Sequence, residues 1–219
     1  FSKFIKKLHK SKKLRPHDGG FALGFHNLAS RDLSHIGTAQ DAELRTSSFE
    51  LQFKLCGLSL PLSKKYGWLF FSGLGIRHAQ YHSDFNTTFH KVNNATVQVE
   101  APGGILYKKT RIQTWAVTIP LMFEWQKKVG KRPIYVQGGV EAAVLFYAAS
   151  KVKFDDGLHR RTQKKYEYGM NINPLQVDAK IGIGYGHVGL YVRYGLLSLF
   201  RSGRGPEVVP AAVGVVWNW

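Results

Sequence analysis

The stretch Thr114-Trp-Ala-Val-Thr-Ile-Pro-Leu-Met-Phe-Glu-Trp125 decides the fold. Trp115, Val117, Ile119, Leu121, Phe123 and Trp125 take alternate positions, with Thr114, Ala116, Thr118, Pro120, Met122 and Glu124 between them. A helix would scatter that set around its circumference, whereas a strand, with its period of two, gathers it on one face. The same alternation runs through Phe49–Leu55, Ile134–Ala148, Leu175–Ile183, Val188–Leu196 and Val209–Trp219, and more weakly through Phe21–His26 and Trp68–Arg77. Eight strands follow. The length of 219 residues suits one domain of that kind.

The remaining composition narrows the class. The longest purely apolar run near a membrane-helix candidate, Ala142–Ala149, has eight residues and follows Glu141, so a transmembrane helix is excluded. The single cysteine, Cys56, excludes an intramolecular disulfide framework and a multi-cysteine zinc site. With Phe1 in place of Met, the expectation is a processed chain that has lost a targeting peptide. The 31 Lys+Arg against 14 Asp+Glu give a formal charge of +17. Such a charge suits nucleic acid, anionic lipid headgroups or lipopolysaccharide phosphates, so charge alone does not choose.

Residues 1–18 form a compositional block of their own. Phe1, Phe4, Ile5 and Leu8 lie at helical spacing with basic residues between them, which reads either as an amphipathic segment or as a solvated basic leader.

Three features separate a membrane barrel from a soluble sandwich or a lipocalin-like barrel. Charges of both signs punctuate the second face at mid-strand: Glu50, Lys54, Arg77, Glu124, Glu141, Asp178, Lys180 and Arg193. A small membrane barrel pairs such groups across its filled interior. Aromatics fall at strand ends, among them Trp68, Trp115, Trp125, Tyr166, Tyr194, Phe200, Trp217 and Trp219, where an interfacial girdle belongs. The connections also alternate in length. Those at 62–67, 127–133 and 185–187 are short, while those at 29–46, 82–110, 154–165 and 199–207 are long. That is outer-membrane topology, with short turns and both chain ends on the periplasmic rim. The expected fold is therefore an all-β, eight-stranded antiparallel transmembrane β-barrel over residues 19–219, preceded by the basic, periplasmic segment 1–18.

With the strands in place, the chain resembles the PorT-like outer-membrane β-barrel family of Bacteroidota. The likeness rests on Gly20-Phe-Ala-Leu-Gly-Phe25, Ser72-Gly-Leu-Gly75, Val117-Thr-Ile-Pro-Leu-Met-Phe-Glu124, Gln137-Gly-Gly-Val140 and Ala148-Ala-Ser-Lys151. It continues through Ile181-Gly-Ile-Gly-Tyr185, Tyr191-Val-Arg-Tyr-Gly195, Leu199-Phe200 and Gly205-Pro-Glu207. The order and spacing of these pieces carry it, and the terminal Trp219 is similar to the aromatic end that barrel-assembly machinery reads. Members of the family include a subunit of the type nine secretion machinery. The block 1–18 is not part of the pattern.

Catalytic and cofactor readings fare worse. His78 and His82 stand near Ser83 and Asp84, the residue types of a lipid A-modifying hydrolase, but His82 and Ser83 are adjacent and point to opposite faces of a strand. His159 has only Asp155 and Asp156 as nearby carboxylates, too few for a metal site. Gly73-Leu-Gly75 and Gly182-Ile-Gly184 lack the third glycine and the following helix of a dinucleotide loop; on the lumen face they make room for partners such as Tyr191 and Arg193. Cys56 is expected on the lumen face as an inert thiol.

The functional expectation is a non-enzymatic barrel without cofactor or metal, a structural or accessory subunit of an envelope complex, binding no nucleic acid. Eight strands leave a bore that side chains fill, closed by ion pairs among the eight charged residues above. Trp115, Val117, Ile119, Leu121, Phe123 and Trp125 face lipid. Lys108, Lys109, Arg111, Lys151, Lys153, Arg160 and Arg161, with Lys164 and Lys165, meet lipopolysaccharide phosphates at the outer rim. Other envelope proteins meet the basic segment. The alternatives are the His82/Ser83 hydrolase and a soluble basic nucleic-acid-binding β protein.

Overall fold

The computed structural model describes residues 15–17, 20–30, 48–63, 65–83, 87–101, 106–155, 162–168 and 170–218. Eleven strands are present among them: β1 (Phe21–Ser30), β2 (Phe49–Ser63), β3 (Trp68–Ser83), β4 (Thr87–Val92), β5 (Ala95–Glu100) and β6 (Leu106–Val129). β7 (Arg132–Asp155), β8 (Thr162–Tyr168), β9 (Leu175–Tyr185), β10 (Val188–Gly195) and β11 (Val208–Trp217) complete them. Eight form a ring in the order β1, β2, β3, β6, β7, β9, β10, β11, closed by β11 on β1, and every pairing in it is antiparallel. These are the eight strands the alternation predicts.

The ring is sheared. From Phe49 the register passes through Phe25, Val213, Val192, Ile181, Gly138, Phe123 and Phe70 and returns to β2 at Leu60, 11 residues further along. Strand number and stagger together fix a barrel's width, and eight strands leave an interior that side chains fill. Two-residue turns at Gly130-Lys131 and Gly186-His187 join β6 to β7 and β9 to β10; both glycines have positive φ, 64° and 59°, as such tight hairpins require. Both ends of the ring, Phe21 and Trp217, lie on this short-turn rim.

Inside and outside are inverted relative to a water-soluble protein. On β6, Trp115, Val117, Ile119, Leu121 and Phe123 are 37% to 51% exposed, whereas Glu124 and Arg193 are 0% and 1%. Trp125 is half-buried between its register partners Trp68 and Val136.

Two bulges correct the face assignments. Leu55 has no partner in the β2–β3 register, which steps from Lys54 opposite Gly75 to Cys56 opposite Leu74. The extra residue reverses parity, so Cys56 is exposed on the outer face instead of buried in the lumen. Strict alternation through Ile134–Ala148 puts Tyr147 on the face of Glu141, but Phe146 is likewise skipped between Leu145 and Tyr147, which sets Tyr147 opposite Trp115 on the outer face.

The long-loop rim is more structured than expected. The connection between β3 and β6 contains the hairpin β4–β5, turned at Asn93 and Asn94 with φ of 48° and 66°. β8 pairs with the upper part of β7, while β9 pairs with its lower part. Phe200, expected in an interfacial girdle, is instead 1% exposed and packs 6.0 Å from Phe89 in an apolar cap with Tyr81, Ile112, Met170 and Leu199.

Candidate functional site

The lumen holds a polar cluster assembled from five strands. Glu50 comes from β2, Arg77 from β3, Glu141 from β7, Asp178 and Lys180 from β9, and Arg193 from β10. Alternation aims each inward because its neighbours along the strand face out. Arg77 Nη1 reaches Asp178 Oδ2 at 2.6 Å and Glu141 Oε1 at 3.1 Å, and Nη2 donates to Gln176 Oε1 at 2.9 Å. Arg193 Nη1 lies 3.1 Å from Asp178 Oδ2, and its Nη2 pairs with Glu50. Lys180 Nζ donates to Glu141 Oε2 at 3.0 Å and to Gln52 Oε1 at 2.8 Å. Tyr191 Oη donates to Glu50 Oε1 at 2.8 Å.

Three carboxylates meet three cations there, and mutual hydrogen bonding offsets the high cost of holding them out of water. The wall is trimmed to admit the large side chains. Gly24 lies opposite Tyr191 so closely that a Cβ would collide with its hydroxyl, and Tyr135 crowds Gly184 and Gly189 in the same way.

One of the eight expected network members pairs elsewhere. Glu124 is buried, but its partner is His17: the backbone N–H of His17 donates to Oε2 at 2.9 Å, and its Nδ1 lies 2.8 Å from Oε1. The His17 ring also stacks on Tyr135, centroids 4.1 Å apart. Gln126 Nε2 donates to the Arg15 carbonyl at 3.0 Å, and Asn218 Nδ2 to the Tyr135 hydroxyl at 2.7 Å. Residues 15–17 of the expected separate leader thus dock inside the short-turn mouth. The signal in the sequence was an acid, Glu124, embedded at a strand end with no basic residue at matching height. Lys54 is half-buried at the bulge and lines a cavity beside the cluster, together with Lys180 and Glu141.

A histidine outside the expected set also joins the lumen. His26 stacks on Tyr81 at 4.2 Å, its Nε2 lies 3.0 Å from the Gln80 carbonyl oxygen and its Nδ1 3.7 Å from Glu50 Oε2.

At the opposite mouth the basic residues line up. β6 and β7 set Arg111 opposite Lys151 and Lys109 opposite Lys153, and β8 adds Lys164 opposite Lys153. Arg111 Nη1 donates to Gln80 Oε1 at 2.8 Å. Lys108 lies in the first residues of β6, its side chain outside the described residues like those of Lys109, Lys164 and Lys165; Arg160 and Arg161 lie outside them altogether. Of the hydrolase candidates, the His82 backbone N–H donates to Ser48 Oγ at 3.0 Å, while the Ser83 side chain and Asp84 lie outside the described residues. Trp219 and His159 also fall outside them. Among the described residues no three His, Cys, Asp or Glu side chains gather as a metal site.

A ring of eight antiparallel strands, apolar outside and ionic within, defines an integral membrane barrel, the arrangement in which lipid replaces water at the wall and no edge is needed. Residues 11–201 match the family model described as outer membrane protein beta-barrel domain, and the chain belongs to that family. It is an outer-membrane protein. No curated protein and no solved structure matches it.

Proposed function

We propose that the protein is a non-enzymatic, non-conducting barrel that serves as a structural or accessory subunit of an outer-membrane assembly, with the type nine secretion machinery as the leading candidate from the PorT-like pattern. The observation that carries this reading is the lumen. Arg77, Arg193, Glu50, Glu141 and Asp178 cross-link five strands at 0% to 3% exposure, which supports a lumen closed at that level. In planar bilayers the purified protein is expected to give no conductance steps. Stable ohmic steps would overturn the plug.

In this reading Trp115, Val117, Ile119, Leu121, Phe123 and Trp125 contact hydrocarbon, the short-turn rim with both ends of the ring is periplasmic, and the long-loop rim faces outward. The cation rows beyond Trp115 support lipopolysaccharide as the outer partner. Like charges placed opposite one another repel, and a bridging phosphate turns Arg111–Lys151 from a liability into a bidentate site. Lys151→Gln together with Lys153→Gln is expected to weaken capture of lipid A while leaving its dephosphorylated form unaffected. Equal capture of both forms would remove that assignment.

A further inference from the structure

The outward row of β3 changes chemistry along its length. Apart from Ser72 it is apolar from Trp68 to Ile76, and beyond that come His78, Gln80 and His82. Their neighbours Arg77, Ala79 and Tyr81 face the interior, so these polar side chains lie on the outer wall. Arg111 of β6 lies there too, opposite His82 and between the buried Thr110 and Ile112. His78 and Gln80 are nevertheless only 8% and 9% exposed, and the Trp115 indole stacks on the His78 ring with centroids 4.3 Å apart.

A chain of hydrogen bonds links these groups, and its two ends fix its direction. Arg111 Nη1 can only donate, so Gln80 Oε1, 2.8 Å away, accepts, and the Gln80 amide nitrogen is turned towards His78. That nitrogen donates to His78 Nε2 at 2.8 Å, which leaves the ring proton on Nδ1. Nδ1 in turn donates to the Thr114 carbonyl oxygen at 3.1 Å. The long Arg111 side chain is thereby anchored, through two side chains of β3, to the backbone of its own strand.

We infer that Gln80 and His78 are positioning residues for the lipid phosphate site proposed at Arg111 and Lys151, holding the guanidinium in place before the phosphate arrives. The inference rests on that proposal. A guanidinium carries five N–H donors, and the bond to Gln80 uses one of them and leaves the fork for phosphate oxygens. An arginine ordered in advance gives up little rotamer freedom on binding, which raises affinity without adding a contact. Next along the outward face comes the aromatic pair Trp115 and Tyr147, followed on β6 by Val117 and Ile119. Cation, aromatic and aliphatic in that order match the headgroup, interface and tails of a lipid, which favours lipid-borne phosphate over the free anion.

Capture of lipid A by the full chain in phosphatidylcholine nanodiscs, set against capture of its dephosphorylated form, tests the assignment. His78→Leu takes the acceptor away from Gln80 and should weaken capture of lipid A about fivefold, the cost of ordering one freed side chain, with no change for the dephosphorylated form. His78→Gln supplies an acceptor again and should recover most of that loss. Gln80→Glu gives Arg111 a carboxylate of its own and should abolish the preference for the phosphorylated lipid. All three variants should keep the heat-dependent gel shift of a closed barrel. A preference that persists unchanged in His78→Leu, or that is lost equally in His78→Gln, would overturn the inference while leaving the phosphate site standing. Equal capture of the two lipids by the native protein would remove the phosphate site and the inference together.

Discussion

The interior changes character along the axis of the ring. At the level of Glu50, Arg77, Asp178 and Arg193 it is ionic. One storey higher, towards the long loops, Tyr81, Phe89, Ile112, Met170, Leu199 and Phe200 form an apolar core. The solvent outside explains the switch. Where hydrocarbon surrounds the strands, apolar side chains gain nothing by turning inward, and the alternate positions are left to polar groups that must satisfy one another. Where the strands rise into water with β4, β5 and β8 around them, burial of apolar surface becomes favourable again and an ordinary core forms. The two storeys are held by different forces, so substitutions in them should differ in both size and reach.

The largest effect is expected from Arg193→Met. It leaves the Glu50 and Asp178 carboxylates buried without their shared cation, a loss of about 3–5 kcal/mol. Urea unfolding of the vesicle-inserted protein, followed by gel mobility, should show the whole ring destabilised. Adding Glu50→Gln should recover part of that loss. No recovery would mean that the guanidinium acts by filling space and not by charge.

In the upper storey Phe200→Ala is expected to cost about 3 kcal/mol, the usual loss for a fully buried aromatic ring, but locally. Hydrogen exchange should accelerate across β4–β5, while the ring keeps its unfolding midpoint. A midpoint that falls in step would show that cap and plug unfold as one unit. On the outer wall, Ile119→Arg at mid-strand should cost about 2–4 kcal/mol in lipid. A negligible cost would place that face in water and remove the reason for the inverted interior.

How much of this was legible follows from the same physics. Period-two alternation survives in any strand with two unlike surroundings, so all eight ring strands could be read, and so could the inward aim of Glu50, Arg77, Glu141, Asp178, Lys180 and Arg193. Cys56 and Tyr147 could not be placed, because a bulge shifts parity by one residue and neither Leu55 nor Phe146 differs in type from its neighbours. β4–β5 did leave a signal, Asn93-Asn94 between alternating segments, but it sat inside a stretch read as one long loop. Phe200 was misplaced since an aromatic at a strand end looks the same whether a lipid interface or a cap receives it. The docking of His17 left its signal only at the far partner, the strand-end acid Glu124, 107 residues away, and nothing around His17 itself marks it.

That tether gives the smallest effect. His17 is 12% exposed at the side chain against 0% for Glu124, so the pair sits at the mouth and water has partial access to it. His17→Ala keeps the backbone N–H on Glu124 Oε2 and removes the ring contacts to Oε1 and Tyr135, a loss of about 1 kcal/mol. Those contacts join residues 15–17 to Glu124 of β6 and Tyr135 of β7 but carry none of the strand-to-strand pairing, so the urea midpoint should barely move while the amides of residues 15–17 lose hydrogen-exchange protection. If the midpoint instead falls as far as it does for Arg193→Met, residues 15–17 are part of the plug itself, and the ionic storey extends to the short-turn rim.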